Sequence, residues 1–398
     1  NGASGSRITF RTQVVKQSIM QGFVINGDFI TIDGFTIANS TTHGITITNT
    51  GNPADNVNII NNDFLEVRGA GVSYLGSSIN PISRNVYIAN NYIYKSEYGF
   101  LVAGINWTIE NNEVNKLYAY STTSYASGGD NDYSRFFGQN ITFRKNYFHG
   151  TIIGNNPGDY SDICPPDHIV TSTPWIECAH VDGWQTFNNN GEVIDNLLFE
   201  ENYLTDFHQG ILMQDNANSA SIRDIKIRNN AFIGSGNAGS GVEAGSGQGI
   251  KNVTIEHNLF YSSGSLSIRA ASTLKIRNNL FYSTAAYYCD GCILANIDST
   301  NNMVGPPGQY AGNLNFAGDI YDTNIQFVNV NNPLGADARP FTSDDGFRIL
   351  TTSPAKDAGA SDVSTTKDAY GTIRPQGAGF DIGVHEYTSV TQTCGNNI

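Results

Sequence analysis

Two short stretches of the 398-residue chain contain the densest set of side chains that could perform acid–base chemistry. The first is ECAHVDGWQTF at 177–187, and the second is TDFHQGILMQD at 205–215. Each stretch places an aspartate and a histidine at the start of an apolar, strand-like run. Carboxyl groups with a neighbouring imidazole are suited to proton transfer in general acid–base catalysis. The two stretches are therefore the first candidates for a catalytic site.

Glycoside hydrolysis needs two carboxyl groups at a defined separation, about 5 Å for retention and about 6.5–9.5 Å for inversion of configuration. We expect Asp182 and Asp206 to form this pair, with Glu243 as the reserve carboxylate. A neighbouring histidine can shift the pKa of a carboxyl group and hold the attacking water. His180 and His208 lie at the right places for that role, so these five residues are the predicted catalytic set.

Polar and aromatic residues around this set predict where a substrate binds. Aromatic rings offer flat faces on which sugars stack, and amide, carboxylate and guanidinium groups hydrogen-bond to hydroxyl groups. No residue spacing in the chain predicts a complete metal-ligand set. The predicted substrate-binding residues are Gln185, Gln214, Asp215, Arg269, Tyr118, Tyr120 and Tyr133.

These assignments have simpler structural alternatives. Asp182 and Asp206 stand at strand starts, where aspartate is also a common turn residue. His208 could be a hydrogen-bonded rim histidine, and Glu243 could be a solvated group or the ion-pair partner of Arg269. The tyrosines could pack against the fold. The clustering of the set, more than any single member, favours the functional interpretation.

The candidate residues lie within a repeated phrase that must position them. A short alternating strand, an asparagine and a second short strand recur eight times, and the second position after each asparagine is apolar. Repeats of this kind without helical periodicity are typical of a β-solenoid. Asparagine suits the corner because it tolerates left-handed backbone and can hydrogen-bond to its copy one turn away. The sequence predicts an all-β, right-handed parallel β-helix with three strands per turn. The corner residues are Asn62, Asn91, Asn112, Asn146, Asn202, Asn230, Asn258 and Asn279, and the core residues are Phe64, Ile93, Val114, Phe148, Leu204, Phe232, Phe260 and Phe281.

A third strand in each turn is predicted from a column of glycines. The residue after glycine should face the core, as Trp184 does in GWQTF, and the next residue should face solvent. Neighbouring parallel strands lie about 4.8 Å apart, so the outward residues between Gln185 and Arg269 should form one polar patch. The glycine-type strands begin at 71, 99, 183, 210, 241, 265 and 291.

Two long insertions precede this column and should form the walls of a groove. One is the tyrosine-rich stretch Tyr118–Phe137, and the other covers about thirty residues near 150–180. Loops of this length without regular structure are commonly functional. Both leave the coil before the same kind of strand, so we expect them to border the same face.

Composition and cysteine spacing favour a secreted protein. The net charge is −14, and no basic stripe is present that could neutralise the phosphates of a nucleic acid. Cys164 and Cys178 bracket the longer insertion and predict a disulfide, while Cys289 and Cys292 predict a local disulfide or two free thiols. We expect an extracellular or cell-surface monomer without a membrane span.

One catalytic domain is expected over residues 1–388, closed by the segment 346–388 and followed by a linker stub over 389–398. The closing segment contains SPAKDAG, G-x-x-RP and G-x-DIG-x-x-E, and the chain opens with GASGSRITF. These two ends resemble the first and closing segments of secreted parallel β-helix proteins. The resemblance covers most of the chain and implies the architecture more than the activity.

At the level of fold, the chain resembles the pectate-lyase-like superfamily of polysaccharide-degrading β-helix enzymes. Asp182-Gly183-Trp184 is similar to a strand start of some of its lyases, but no lysine follows, so Arg269 would have to serve as the base. The motif set of polygalacturonase-type hydrolases is not met. The sequence HVDGWQ and the closing segment are similar to disaggregatase-type enzymes, which depolymerise an archaeal cell-matrix polysaccharide.

The first functional expectation is a glycoside hydrolase that depolymerises a polysaccharide with paired carboxylates and no certain cofactor. One alternative is a lyase or epimerase on uronic-acid polymers, for which Ca²⁺ or an Arg/Lys cluster would offset the negative charge of the protein. Another alternative is a non-catalytic glycan-binding or adhesin solenoid. Fold alone does not choose among these classes.

Overall fold

The structure is a computed structural model that describes residues 1–389 except 50, 80–81, 121–128, 155, 165–168, 172–177, 217–220, 235–239, 246–248, 271, 307–313 and 322–323. Within these ranges the chain forms 28 strands of one sheet and a single turn of 3-10 helix at Leu294–Asn296. Most of the predicted linker stub lies outside the described residues. None of the described helical structure is long or apolar enough to cross a bilayer.

The strands are short and follow one another along the whole described chain. The first ten are β1 (Ile8–Arg11), β2 (Ile19–Met20), β3 (Phe23–Ile25), β4 (Ile30–Asp33), β5 (Thr36–Ala38), β6 (Ile45–Thr48), β7 (Asn58–Ile60), β8 (Asp63–Leu75), β9 (Arg84–Ala89) and β10 (Tyr92–Glu110). The next ten are β11 (Glu113–Leu117), β12 (Asp130–Arg144), β13 (Tyr147–His149), β14 (His180–Phe187), β15 (Ile194–Glu200), β16 (Tyr203–Thr205), β17 (Gln209–Gln214), β18 (Ile222–Arg228), β19 (Ala231–Ile233) and β20 (Ser240–Ala244). The last eight are β21 (Lys251–Glu256), β22 (Leu259–Tyr261), β23 (Ser265–Arg269), β24 (Leu274–Arg277), β25 (Leu280–Tyr282), β26 (Tyr287–Asp290), β27 (Ile297–Thr300) and β28 (Met303–Val304).

These strands coil into a parallel β-helix with three faces, which confirms the predicted fold. The first face precedes the asparagine corner and contains β1, β4, β7, β9, β15, β18, β21, β24 and β27. The second face follows the corner and contains β2, β5, β11, β13, β16, β19, β22, β25 and β28. The third face contains β3, β6, β14, β17, β20, β23 and β26. The long strands β8, β10 and β12 bend around corners and contribute to more than one face.

The corner asparagines form the predicted ladder. The side chain of Asn202 is typical: its Nδ2 donates to Oδ1 of Asn230 and to the carbonyl of Phe143, both at 2.9 Å. Its Oδ1 accepts hydrogen bonds from the backbone N–H and from Nδ2 of Asn146, again at 2.9 Å. Each buried side chain thus satisfies backbone groups that the corner would otherwise leave unpaired. The same pattern continues to Asn302, and Asp319 accepts the last hydrogen bonds of the ladder.

One detail of the corner differs from the expectation. The residue with left-handed backbone is the one before each ladder asparagine, such as Asn229 (φ 53°) or Asn278 (φ 55°). The ladder residue itself keeps negative φ and turns its side chain inward. The left-handed position also accepts Lys145, Glu201 and His257, because only the backbone is constrained there.

The apolar residue two positions after each asparagine is buried, as predicted. Phe232 packs face to face on Phe260 at 5.1 Å, and Phe260 packs on Phe281 at 4.8 Å. Burying a side chain of this size stabilises the fold by about 1.5–3 kcal/mol. Trp184 is also fully buried. The repeated position therefore forms a continuous column of rings inside the coil.

The glycine column of the third face has a steric cause. A Cβ atom on Gly183 would lie 2.4 Å from the carbonyl oxygen of Gly210, so the coils approach too closely for a side chain. The prediction that a strand of this column begins at Gly291 is wrong. Strand β26 occupies that place, because Tyr287 fills the core position beside Leu266. Gly291 instead lies in a turn between Cys289 and Cys292, which form a disulfide.

The predicted tyrosine-rich insertion is shorter than expected. Residues 130–137 are the first part of β12 and pair with β14 on the third face. The glycine position of this coil is occupied by Tyr133 and the next core position by Ser134, so the strand lacks the pattern used to find the others. Tyr125 lies outside the described residues. The disulfide predicted between Cys164 and Cys178 is present.

The closing segment lies along the outer side of the second face. Its apolar residues pack on the outward residues of the later coils, from Tyr203 to Met303. Within the segment, Arg374 and Glu386 form a fully buried ion pair at 3.1 Å, which explains why the RP and DIG-x-x-E motifs occur together. Tyr147, one coil before Tyr203, packs partly against this cover, and among the described residues no earlier residue of the second face does so.

Candidate active site

Side chains from five neighbouring strands of the third face, most of them polar, lie side by side. Asp132 of β12 is opposite Asp182 of β14, which is opposite Gln209 of β17. The adjacent outward column runs through Arg135, Gln185, Leu212, Glu243 and Ser267. We call this group, together with His180 and Arg269, the third-face site. Parallel stacking therefore brings together residues that are more than one hundred positions apart.

The centre of the third-face site is an ion pair between His180 and Asp182. His180 Nδ1 lies 2.9 Å from Oδ1 of Asp182, whose side chain is inaccessible to solvent, whereas 30% of the His180 side chain is exposed. Burial works to lower the pKa of His180, but the charge and hydrogen bond of Asp182 outweigh it and raise the pKa to about 9. Because Nδ1 faces Asp182, Nε2 is the ring nitrogen that a substrate can reach.

Asp130, Asp132 and Arg135 belong to the site and are absent from the predicted set. Arg135 lies 2.7 Å from Oδ2 of Asp132 and 3.0 Å from Oδ2 of Asp130. Complete burial raises the pKa of Asp132 well above its ordinary value, opposed first by Arg135 and assisted by the charge of Asp182. Gln185 donates to Oδ2 of Asp130 at 3.2 Å. An alignment of Asp132-x-Ser134-Arg135 with Asp182-Gly183-Trp184-Gln185 would have revealed these residues in the sequence.

Glu243 and Arg269 form the other end of the site. Arg269 Nε lies 3.1 Å from Oε1 of Glu243, and Gln209 donates to Oε2 of Glu243 at 2.6 Å. Burial raises the pKa of Glu243, opposed by Arg269 and assisted by the charge of Asp182. Arg269 is also 3.6 Å from Asp290, and 39% of its side chain is exposed. The ion-pair alternative for Glu243 is thus present in the structure, inside the cluster.

His208 lies next to His180, as expected, but the two imidazole rings differ in charge. Their rings stack at 4.8 Å, and the backbone N–H of Val181 donates to Nδ1 of His208 at 2.9 Å. Burial, followed by the charge of His180, lowers the pKa of His208 to about 3. His208 is therefore a neutral packing partner for the charged ring of His180 at physiological pH.

Asp206 does not join the third-face site. It occupies a left-handed turn position (φ 59°) between the second and third faces. Its Oδ2 accepts hydrogen bonds from the backbone N–H of Gly150 and from the Thr205 hydroxyl, each at 2.8 Å. The structure thus places Asp206 in the turn role that was the simpler alternative. The predicted Asp182–Asp206 carboxylate pair is replaced by Asp182 with Asp132 on one side and Glu243 beyond it.

The remaining predicted binding residues lie at the edges of the face. Gln214 stands opposite Phe187 at the far end of β17, and the next residue, Asp215, is buried and accepts a hydrogen bond from Asn188 at 3.3 Å. Their binding roles stay predictions. Gln185, by contrast, donates a hydrogen bond to Asp130 within the third-face site.

The predicted tyrosine platform divides into two parts. Tyr133 is fully buried, stacks on Phe148 at 5.2 Å and is 2.7 Å from the Thr151 hydroxyl oxygen, so its predicted role in sugar stacking is wrong. Its place in the column turns the ring inward. Tyr118 and Tyr120 contact each other edge to face at 5.0 Å and remain partly exposed, so their binding role stays a prediction.

The positive and negative side chains of the site lie at different depths below the surface. Asp132 and Asp182 are completely inaccessible, whereas the positively charged His180, Arg135 and Arg269 keep 30%, 20% and 39% of their side chains exposed. The three cations therefore lie nearer the surface than these two carboxylates, and they share that surface with Asp130 and Asp290, whose side chains are 29% and 59% exposed. A ligand carboxylate can pair with the cations where it displaces these exposed partners.

The third-face residues do not fit a Ca²⁺ ion. Oδ1 of Asp132 and Oδ2 of Asp182 are buried without a hydrogen-bond partner, as cation ligands can be. However, Arg135 and His180 already provide positive charge at these carboxylates. Among the described residues, the carboxylates close enough to share an ion are elsewhere, at Asp337, Asp344 and Asp345. The reaction proposed below therefore does not use Ca²⁺.

Comparison with known proteins establishes the fold class. No protein-family model matches the chain, and no curated protein matches it significantly. Among solved structures, the pectate lyase Pel9A aligns over 96% of this chain and 86% of its own, with 13% identity and a TM-score of 0.53. The PL6-family alginate lyase AlyGC aligns over 82% of this chain and 48% of its own, with 15% identity and a TM-score of 0.48. The chain thus has the pectate-lyase-like parallel β-helix fold, and its chemistry must be argued from its own site.

Proposed function

We propose that this protein is a polysaccharide lyase that cleaves a uronic-acid-containing polymer by β-elimination. The observation that carries the proposal is the exposed His180 ring held on buried Asp182, with Arg135 and Arg269 on the same face. The fold likeness to a pectate lyase supports this choice over the hydrolase expected from the sequence. The two disulfides fit an oxidising extracellular location, so we keep secretion and a monomeric state within the proposal.

β-Elimination needs a base, a charge that offsets the uronate carboxylate and a proton for the leaving oxygen. In the proposed reaction, Arg135, on the coil next to His180, faces the uronate carboxylate and makes the proton on C5 more acidic. Arg269 lies three coils beyond His180 and faces another unit of the polymer. Neutral His180 accepts that proton on Nε2, while Asp182 stabilises the imidazolium that forms. The C5–H electron pair forms the C4=C5 double bond and the C4–O4 bond breaks. The proton on His180 is then available to the departing O4 oxygen.

The pKa of His180 predicts that cleavage rises with pH. The base must be neutral, and with a pKa of about 9 only a small fraction of His180 is neutral at pH 7. We therefore expect kcat/KM to increase about tenfold per pH unit below pH 8 and to level off above pH 9. Initial rates between pH 6 and pH 10.5 measure this profile. A rate that is constant or falls across this range would contradict His180 as the base.

A product analysis tests the reaction class. The protein is incubated with polygalacturonate, alginate and a neutral glucan, and both ultraviolet absorbance and reducing ends are followed. An unsaturated product that absorbs in the ultraviolet supports the lyase. Reducing ends without unsaturation would indicate a hydrolase, and glycan binding without any product would indicate an adhesin.

The glycoside hydrolase stays as a second candidate because of Glu243. Burial raises the pKa of this carboxyl group, which is what a general acid requires, and Asp182 would then be the opposing carboxylate. The variant Glu243→Gln separates the two reactions. In a lyase Glu243 only positions Arg269, so we expect a loss of tenfold or less. In a hydrolase the loss would be about a thousandfold. Initial rates on the cleaved polymer give the answer.

A further inference from the structure

A second cavity lies on a different face from the third-face site. It has a volume of about 790 Å³ and is open to solvent on the second face. One wall is the asparagine corner of three consecutive coils, at 111–113, 144–149 and 200–201. The other wall is formed by 337–342 and by residues of the closing segment between 367 and 371. Neither wall contains a residue of the third-face site.

The cavity marks the place where the cover of the second face begins. The apolar cover starts at Tyr203, whose ring contacts Phe341 edge to face at 5.8 Å. One coil earlier, Tyr147 contacts Tyr203 at 5.7 Å but is itself only partly buried. The outer surface of the second face is therefore open from Tyr147 towards the first coils.

The wall opposite the coils is held in one conformation by carboxylates. Asp345 accepts hydrogen bonds from the backbone N–H of Phe341 at 2.7 Å and from the Tyr370 hydroxyl at 3.3 Å. Asp344 accepts hydrogen bonds from the backbone N–H groups of Ala336 and Asp337. A wall fixed by such contacts does not have to be ordered when a ligand binds, and this reduces the entropic cost of binding.

The floor of the cavity carries a stacked aromatic pair, which we call the platform. The rings of Tyr147 and His149 lie face to face, with an interplanar angle of 10° and centroids 3.8 Å apart, so only the outer faces and the edges of the pair are available to a ligand. Glu113 Oε1 lies 3.0 Å from His149 Nε2, on the neighbouring coil. Flat rings beside polar groups suit sugars, which offer one apolar face and a rim of hydroxyl groups.

The platform continues beyond the cavity along the coil axis. Two coils before Tyr147, the rings of Tyr92 and Tyr94 are parallel, with an interplanar angle of 6° and centroids 6.4 Å apart. Between them, Asn115 donates to the Tyr92 hydroxyl at 3.3 Å. Successive coils are about 4.8 Å apart, which is close to the length of one pyranose unit in an extended chain.

The charges around the cavity are balanced. Arg144 pairs with Glu110 at 2.8 Å, and Lys145 lies 3.6 Å from Glu201. The other basic lining residues, Arg339 and Lys367, are matched in number by the acidic lining residues Glu200 and Asp337. His149 is engaged with Glu113. These pairs leave no uniform field at the platform, in contrast to the exposed cations of the third-face site, so this surface does not select an anionic ligand.

We propose that the cavity and its platform form a second saccharide-binding cleft that holds an uncharged stretch of polysaccharide without cleaving it. The choice of a saccharide as the ligand class rests on the proposed function. The neutral character of the ligand rests on the paired charges described above. A cleft of this kind keeps a mixed polymer on the protein while the third-face site acts on its uronate residues.

Calorimetric titration of the full chain with cellohexaose, mannohexaose and xylohexaose tests the cleft, with hexagalacturonate as the charged comparison. We expect at least one neutral hexasaccharide to bind. His149→Ala removes half of the platform and Ala338→Trp fills the cavity from the opposite wall, so each should weaken binding at least tenfold. Ala336→Trp, on the same wall but outside the cavity, is the matched control and should bind like the parent. Thermal unfolding verifies that each variant is folded.

The same titration on Asp182→Asn separates this inference from the proposed function. Neutral hexasaccharides should bind that variant unchanged, because Asp182 is on another face. If none of the three neutral hexasaccharides binds at millimolar concentration, or if both cavity variants bind like the parent, the second cleft is wrong. Failure to find an unsaturated product would refute the lyase and leave these binding results standing.

Discussion

Replacing Asp182 by asparagine is expected to lower the kcat/KM that is reached above pH 9 about a thousandfold while the β-helix stays folded. Asparagine has nearly the same shape, but it removes the charge that lies 2.9 Å from His180 Nδ1. That charge opposes the effect of burial on the imidazole, so without it the pKa of His180 should fall. The ring would then be a weaker base, and the imidazolium that forms during proton transfer would lose its partner.

Two measurements distinguish this chemical effect from a structural one. The rise of kcat/KM with pH should move from about pH 9 in the parent to a lower pH in the variant, because Asp182 makes the largest contribution that raises the pKa of His180. Asp368→Asn is the control, since it neutralises an equally buried carboxylate in the closing segment. We expect Asp368→Asn to change stability but not the rate per folded molecule. A rate for Asp182→Asn within threefold of the parent would remove Asp182 from the mechanism.

Replacing Asn202 by alanine is expected to lower the free energy of unfolding by about 4 kcal/mol. The substitution deletes both hydrogen bonds that the side chain donates and both that it accepts. It leaves the backbone N–H of Asn146 and the carbonyl of Phe143 unpaired in a region that water does not reach. Each such buried group costs about 1–3 kcal/mol.

Urea-induced unfolding of the variant and of its parent measures this loss. Asn331→Ala is the matched control, because that asparagine is exposed and lies outside the ladder. A substitution of this kind at the surface should change the free energy of unfolding by less than about 0.5 kcal/mol. Equal effects in the two variants would show that the ladder hydrogen bonds do not stabilise the coil.

The β-helix could be predicted from the sequence because every turn repeats the same short-range sequence requirements. Each turn needs an inward asparagine at one corner and an apolar residue two positions later, as at Asn230 and Phe232. Eight copies of this pair made the register visible without knowledge of any contact. The steric demand at Gly183 worked in the same way, because a close approach between coils excludes every side chain there. The architecture and most of the core followed from such local rules, whereas the state of Cys289 and Cys292, which the sequence left open between a disulfide and two free thiols, was decided by the structure.

The candidate site was only partly readable, because its residues meet across coils. The pairing of His180 with Asp182 lies within one stretch and could be anticipated. Asp132 and Arg135 were hidden, because their strand has Tyr133 where the others have glycine.

The role of Asp206 depends on the turn in which it lies. Its carboxylate is used by the backbone N–H of Gly150, a contact that spacing cannot predict. What the sequence by itself determined is the repeating coil, since each turn obeys the same local rule. Which side chains face one another on its surface depends on the register between coils and on where each loop returns, and these were decided only by the tertiary structure.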